Sequence, residues 1–171
     1  SDAFLSDTQG RDHVTHAKLA FDADQKITGM MVETNANLGA YFSTFGPLIP
    51  TMAAVKVMPG VYDIPDFYYH CTGVFTNTVP VDAYRGAGRP EAIYIIERLM
   101  DKAAREFGIG QDEIRRKNFI PVAAIPYKTA TGCVYDSGEF ERVMNRALET
   151  SGWADFSARK AKSAENGKRR G

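Results

Sequence analysis

Three features of the sequence predict an α+β fold, antiparallel strands followed by packed helices. Residues 13–21 and 27–37 read as extended segments on either side of a polar turn, the first alternating with period 2. Residues 67–76 are rich in aromatic and β-branched side chains, which suit a pleated surface. From Pro80 onward the apolar spacing turns helical, so strands come first and helices second, without the interleaving of βαβ units.

In HVTHAKLAF, Thr15, Ala17, Leu19 and Phe21 share one face, with His16 and Lys18 on the other. Asp22, Asp24 and Gln25 supply the turn, so the first two segments form an antiparallel hairpin. Gly46, Pro47 and Pro50 interrupt any long strand and leave 51–58 as a short helix. Ala92, Ile95, Ile96, Leu99, Ala103 and Phe107 define a helix over 91–107, with Gly108 where a left-handed cap would stop it. A second helix is expected over 112–118 and a loop over 121–132. Asp136 and Glu139 have the spacing of a capping box opening a third helix through about Thr150. From Trp153 the chain is polar and basic, a solvated helix or frayed end; residues 156–171 are set apart as a C-terminal segment.

The chain has 171 residues, with 21 Lys+Arg balancing 21 Asp+Glu. That length buries a core without disulfides or a structural metal, and the neutral balance argues against a nucleic-acid binder. Cys71 and Cys133 stand 62 positions apart and build neither a zinc site nor a disulfide framework. His13 and His16 fall on opposite faces of a strand, which excludes a shared metal, and His70 reads as half-buried in a strand; no metal ligands are expected. No stretch reaches bilayer length and no signal segment opens the chain, so a cytoplasmic location is expected. The absence of an initial Met and the basic end at Gly171 suggest a piece of a longer polypeptide.

The strongest local signal is Asp82-Ala83-Tyr84-Arg85-Gly86-Ala87-Gly88-Arg89-Pro90-Glu91, directly before the longest helix. Pro90 suits the first helical turn, so the amides near Gly88 form the positive end of that helix. Two glycines permit close approach of a ligand to the backbone, and Arg85 and Arg89 add forked donors for an oxyanion. Neither a Walker loop nor the three-glycine dinucleotide spacing is present. On these residues alone, a non-catalytic α+β module that binds anions or a partner remains open.

The run from Val74 to Ala92 resembles the active-site segment of the molybdenum hydroxylases, the xanthine dehydrogenase/aldehyde oxidase family, and within it the carbon monoxide dehydrogenase-like large subunit. Gly10-Arg11-Asp12-His13, Ile114-Arg115-Arg116-Lys117-Asn118-Phe119, and Pro126-Tyr127-Lys128-Thr129 running on to Tyr135-Asp136-Ser137-Gly138 extend the resemblance in order. It implies that residues 1–155 are a partial molybdopterin-cofactor-binding domain, a fragment of the large catalytic subunit of an oxidoreductase. Such enzymes oxidise a carbon substrate with oxygen drawn from water. Electrons pass to an iron–sulfur subunit and an FAD-binding subunit.

The resemblance also implies roles. Arg85 lies at the substrate pocket as the catalytic residue; the backbone of Gly86, Ala87 and Gly88 lines the metal end of the cofactor; Arg115 is a weaker cofactor contact. At the position of Gly86, proven carbon monoxide dehydrogenases carry a copper-binding cysteine, so a copper–molybdenum centre is not expected here, and the substrate stays open between carbon monoxide and an aldehyde or heterocycle. The family's other cofactor loop and its glutamate base lie outside these residues, so the 171-residue chain by itself is expected to be inactive and to retain no cofactor.

Overall fold

The computed structural model of the protein describes Asp2 and residues 6–171. Three strands, β1 (His13–Phe21), β2 (Ile27–Gly39) and β3 (Asp66–Phe75), form one sheet in the order β1-β2-β3. β1 and β2 pair antiparallel, as the alternation predicts: Thr15, Ala17, Leu19 and Phe21 face inward and Val14, His16 and Lys18 outward. β3 corrects the sequence reading, because it runs parallel to β2. A parallel neighbour needs a long crossover, and residues 40–65 provide it. The predicted 51–58 helix is replaced within that crossover by a π-turn at Ile49–Ala53 and a 3-10 turn at Val55–Val57. His70 is likewise corrected, lying exposed on β3.

Helix α1 (Arg89–Phe107) closes over the sheet, extending the predicted helix by two residues at its start. Ala92, Ile96, Met100, Ala103 and Ala104 form its buried stripe and meet Ile27, Met30 and Val32 of β2, with Met58, Tyr62 and Ile64 of the crossover filling the space between. A fully buried Ile or Met contributes about 1.5–3 kcal/mol through lost apolar exposure, and this layer holds the main buried apolar cluster. Gly108 stops the helix with φ 68°, its amide donating to the Ala104 and Arg105 carbonyls.

Helix α2 (Gln111–Asn118) is pinned to the hairpin by one buried side chain. Asn118 Oδ1 accepts from the Ile27 amide at 2.8 Å, while its Nδ2 donates to the carbonyls of Ile114 at 2.8 Å and Gln25 at 3.0 Å. β4 (Tyr127–Lys128), inside the expected loop, pairs antiparallel with β5 (Val134–Tyr135) just beyond it. This ribbon docks on the crossover: the Tyr127 hydroxyl donates to Asp63 Oδ1 at 2.7 Å, and that of Tyr135 to the Gly60 carbonyl at 2.8 Å.

Helices α3 (Phe140–Ser151) and α4 (Phe156–Glu165) follow, and neither contains a buried residue. The expected capping box does not form. Glu139 occupies the N-cap without a side-chain cap, and the Ser137 hydroxyl instead donates to Asp136 Oδ1 at 3.1 Å. Among the described residues no helix is long and apolar enough to cross a membrane.

Candidate functional site

The segment leading to α1 is fixed before it turns. Gln9 and Val81 form a parallel bridge, in which the Gln9 amide donates to the Pro80 carbonyl at 2.9 Å and the Asp82 amide to the Gln9 carbonyl at 2.8 Å. Asp82 then anchors the turn. Its carboxylate accepts from the Ser43 hydroxyl, from the Phe45 amide at 3.2 Å and from the Ala83 amide at 2.6 Å. Burial works against its ionisation, but these three donors together hold the Asp82 carboxyl below its usual pKa. Sequence reasoning placed Asp82 at the head of the motif but missed this anchoring role, because Ser43 and Phe45 lie far upstream in an irregular stretch.

The turn itself closes on two short bonds, Ala87 amide to Tyr84 carbonyl at 2.8 Å and Arg89 amide to Gly86 carbonyl at 3.0 Å. Gly86 and Gly88 adopt φ of 83° and 85°, where a side chain is strained. At Gly88 a Cβ would lie 2.7 Å from the backbone of Ala53 and Ala54, so the turn presses directly on the π-turn of the crossover. At Gly86 a Cβ would meet only the Pro90 ring at 3.4 Å, leaving that face of the turn open.

Arg89 folds back, Nη1 donating to the Ala87 carbonyl at 3.1 Å. Arg85 is exposed, and its guanidinium has no hydrogen-bond partner among the described residues. The amides of Arg85, Gly86 and Gly88 likewise have none among them. Unpaired amides, a free guanidinium and the positive end of a nineteen-residue helix make one donor set. That set suits an anionic, oxygen-rich group, and the open face of Gly86 lets such a group reach the backbone. The geometry therefore fits the molybdopterin cofactor that the sequence resemblance implies.

Arg85, Gly86, Ala87 and Gly88 are thus brought together, while Arg115 stands elsewhere. It lies on α2 and clasps α1: Nε and Nη2 donate to Glu97 Oε2 at 2.9 and 2.6 Å, Nη2 to Asp101 Oδ1 at 2.9 Å, and Nη1 to the Gln111 carbonyl at 2.9 Å. Glu97 sits roughly 12 Å along α1 from its first residue, at 1.5 Å per residue. Burial opposes the charge on Arg115, but the bonds to Asp101 and Glu97 raise its pKa above that of an ordinary arginine. The Tyr62 hydroxyl donates to Glu97 Oε1 at 2.7 Å; burial first, and then the Glu97 charge, push its pKa up.

A groove of about 780 Å³ runs between β1 and α1, lined by Arg11, His13, Thr15, Glu91, Tyr94 and Arg98 among others, but by no residue of the 84–89 turn. No group of three or more His, Cys, Asp or Glu side chains suited to a metal ion occurs among them.

Residues 1–119 match the molybdopterin cofactor-binding domain family. The chain belongs to that family. Compared with curated relatives, this molybdopterin cofactor-binding chain is 35% identical over 156 residues to the 6-hydroxypseudooxynicotine dehydrogenase complex subunit gamma of Paenarthrobacter nicotinovorans, covering 88% of this chain and 20% of that protein. It is also 35% identical over 156 residues to the carbon monoxide dehydrogenase large chain of Hydrogenophaga pseudoflava, covering 90% of this chain and 19% of that one. Among solved structures, quinoline 2-oxidoreductase from Pseudomonas putida 86 superposes with a TM-score of 0.88 at 28% identity, over 96% of this chain and 21% of that one. The chain spans about a fifth of the length of each. These matches bear out the family and the α+β class drawn from the sequence.

Proposed function

We propose that this chain is the part of a molybdenum-dependent oxidoreductase large subunit that presents the cofactor's metal end to substrate, and that the whole enzyme oxidises an aldehyde or a nitrogen heterocycle. The observation that carries this reading is the 85–88 turn: a partner-free Arg85 guanidinium beside unpaired amides on a turn with one open face. When bound, the cofactor supplies the two-electron oxidation and the oxygen drawn from water.

The residues of this chain supply position and charge. Gly86, Ala87 and Gly88 hold the cofactor edge against backbone, and the open face of Gly86 lets that edge come close. Arg85 faces the substrate and stabilises negative charge gathering on its heteroatom, the carbonyl oxygen of an aldehyde or the ring nitrogen of a heterocycle, with a planar fork of donors. Arg115, whose donors are engaged by Glu97, Asp101 and Gln111, enters this reading as a brace for α1 rather than as a cofactor contact. Electrons leave through an iron–sulfur subunit and an FAD-binding subunit, in keeping with relatives named as a large chain and as a subunit of a complex.

Gly86 supports an aldehyde or a heterocycle over carbon monoxide. A solved relative is described as a Cu,Mo-CO dehydrogenase, and glycine offers no thiolate to copper. The test is metal analysis of the full-length enzyme with its partner subunits, together with dye-linked oxidation of benzaldehyde, quinoline and carbon monoxide. Stoichiometric molybdenum without copper, and turnover of the aldehyde or heterocycle but not of carbon monoxide, are expected. Stoichiometric copper with carbon monoxide turnover would overturn the substrate assignment, and a lack of molybdenum would overturn the whole reading. The 171-residue chain alone is expected to retain no molybdenum and to be inactive.

A further inference from the structure

One side chain joins both ends of the 84–91 segment. Arg11 Nη2 donates to the Arg85 carbonyl at 2.7 Å, its guanidinium carbon lies 5.1 Å from the centroid of the Tyr84 ring, and its Nε is 3.3 Å from Glu91 Oε1 in the first turn of α1. The Glu91 side chain is only 10% exposed, and its Oε2 is buried without a partner among the described residues. Arg11 is therefore the cation against which that buried charge is set.

The backbone around Arg11 is shaped for this reach. Arg11 adopts φ 51°, the left-handed region that a long side chain occupies at a cost and that persists only where surrounding structure imposes it. Its neighbours impose it. Asp12 is held to β2, its carbonyl accepting from the Asn37 amide at 2.9 Å and its carboxylate from Asn37 Nδ2 at 2.8 Å. Gly10 on the other side lies so near Tyr84 that a Cβ there would stand 2.9 Å from the tyrosine Cβ. Gln9 is already bridged to Val81. Strain, an orphaned buried carboxylate oxygen and three directed contacts converge on one guanidinium.

We infer that Arg11 is a positioning residue for the 85–88 turn: it fixes the Arg85 peptide, and through it the Arg85 side chain and the glycine amides, in the arrangement the proposed chemistry uses. The inference rests on the reading of Arg85 given above. A point charge on a flexible stem could not make all three contacts, so lysine is not an equivalent here.

The test uses the full-length holoenzyme in four forms, wild type, Arg11→Ala, Arg85→Ala and the double variant, with Arg11→Lys as the conservative probe. Arg11→Ala is expected to lower kcat on the order of 10- to 100-fold, as small displacements of a reacting group do. The double variant should be slower than Arg85→Ala by clearly less than the loss in Arg11→Ala alone, because part of what Arg11 does runs through the Arg85 side chain. Amide hydrogen exchange should quicken over residues 84–92 and stay unchanged in β2. Wild-type kcat in Arg11→Ala, a double variant slower by the product of both losses, or exchange that rises uniformly would each overturn the inference. If Arg85→Ala keeps the wild-type rate, the catalytic reading of Arg85 fails instead, and the local exchange still decides whether Arg11 holds the turn. Should Arg11→Ala fail to fold, Arg11→Lys keeps the charge facing Glu91 and carries the same comparison.

Discussion

Arg85 and Arg115 flank the same helix and are treated in opposite ways. Arg115 is enclosed by Glu97, Asp101 and the Gln111 carbonyl, with 18% of its side chain exposed. Arg85 has an anchored backbone and a guanidinium without a partner among the described residues. The fold uses one arginine to hold two helices together and leaves the head group of the other without a partner among the described residues. The proposed role of Arg85 rests on that difference.

The contrast can be broken or sharpened at several points. The largest expected effect on stability lies beneath the turn. Gly88→Ala forces a Cβ against the Ala53–Ala54 peptide at a positive φ and should cost on the order of 2–4 kcal/mol, read from urea denaturation. Gly86→Ala meets only the Pro90 ring and should cost about 1–2 kcal/mol, the left-handed penalty alone. Equal losses at the two glycines would mean that the turn does not seat on the crossover as described.

Next comes the pair of arginines. Arg115→Ala leaves Glu97 and Asp101, half-shielded, without their cation and should destabilise by about 1–3 kcal/mol. Arg85→Ala, at an exposed site, should change stability by less than about 0.5 kcal/mol. If the two variants melt alike, the contrast between them is lost.

The smallest effect is a pH dependence. Burial lowers the pKa of His13 below 6.5, and the charges of Glu91 and Asp12 only partly oppose it. Between that folded value and 6.5 the unfolded chain binds the proton and the folded chain does not, so stability is full above pH 6.5 and falls as pH drops through that window. His13→Gln should remove this component of the acid loss. An unchanged slope of stability against pH in that variant would contradict it.

The local parts of this architecture were legible in the sequence because their causes are local. Period-2 alternation set the hairpin, helical spacing set α1, and Gly108 ended it at the expected residue. The direction of β3 was not legible, since a crossover with turns of its own carries no signal for the return direction. The Asp136 signature failed because the helix starts at Phe140, which puts Glu139 rather than Asp136 at the N-cap. At the site, the Gly86 and Gly88 turn was legible from glycine, proline and arginine spacing. What Arg115 and Arg11 touch was not, because Glu97 lies 18 positions from the first and the Arg85 carbonyl 74 from the second.

The central claim is that Arg85 faces substrate and stabilises its developing charge. Steady-state kinetics of Arg85→Ala and Arg85→Lys in the molybdenum-loaded full-length enzyme, with metal content measured on the same samples, test it most directly. We expect kcat to fall on the order of 10²- to 10³-fold in the alanine variant at unchanged molybdenum content and melting temperature, with partial recovery in the lysine variant. A kcat within twofold of wild type in the fully loaded alanine variant would contradict the account.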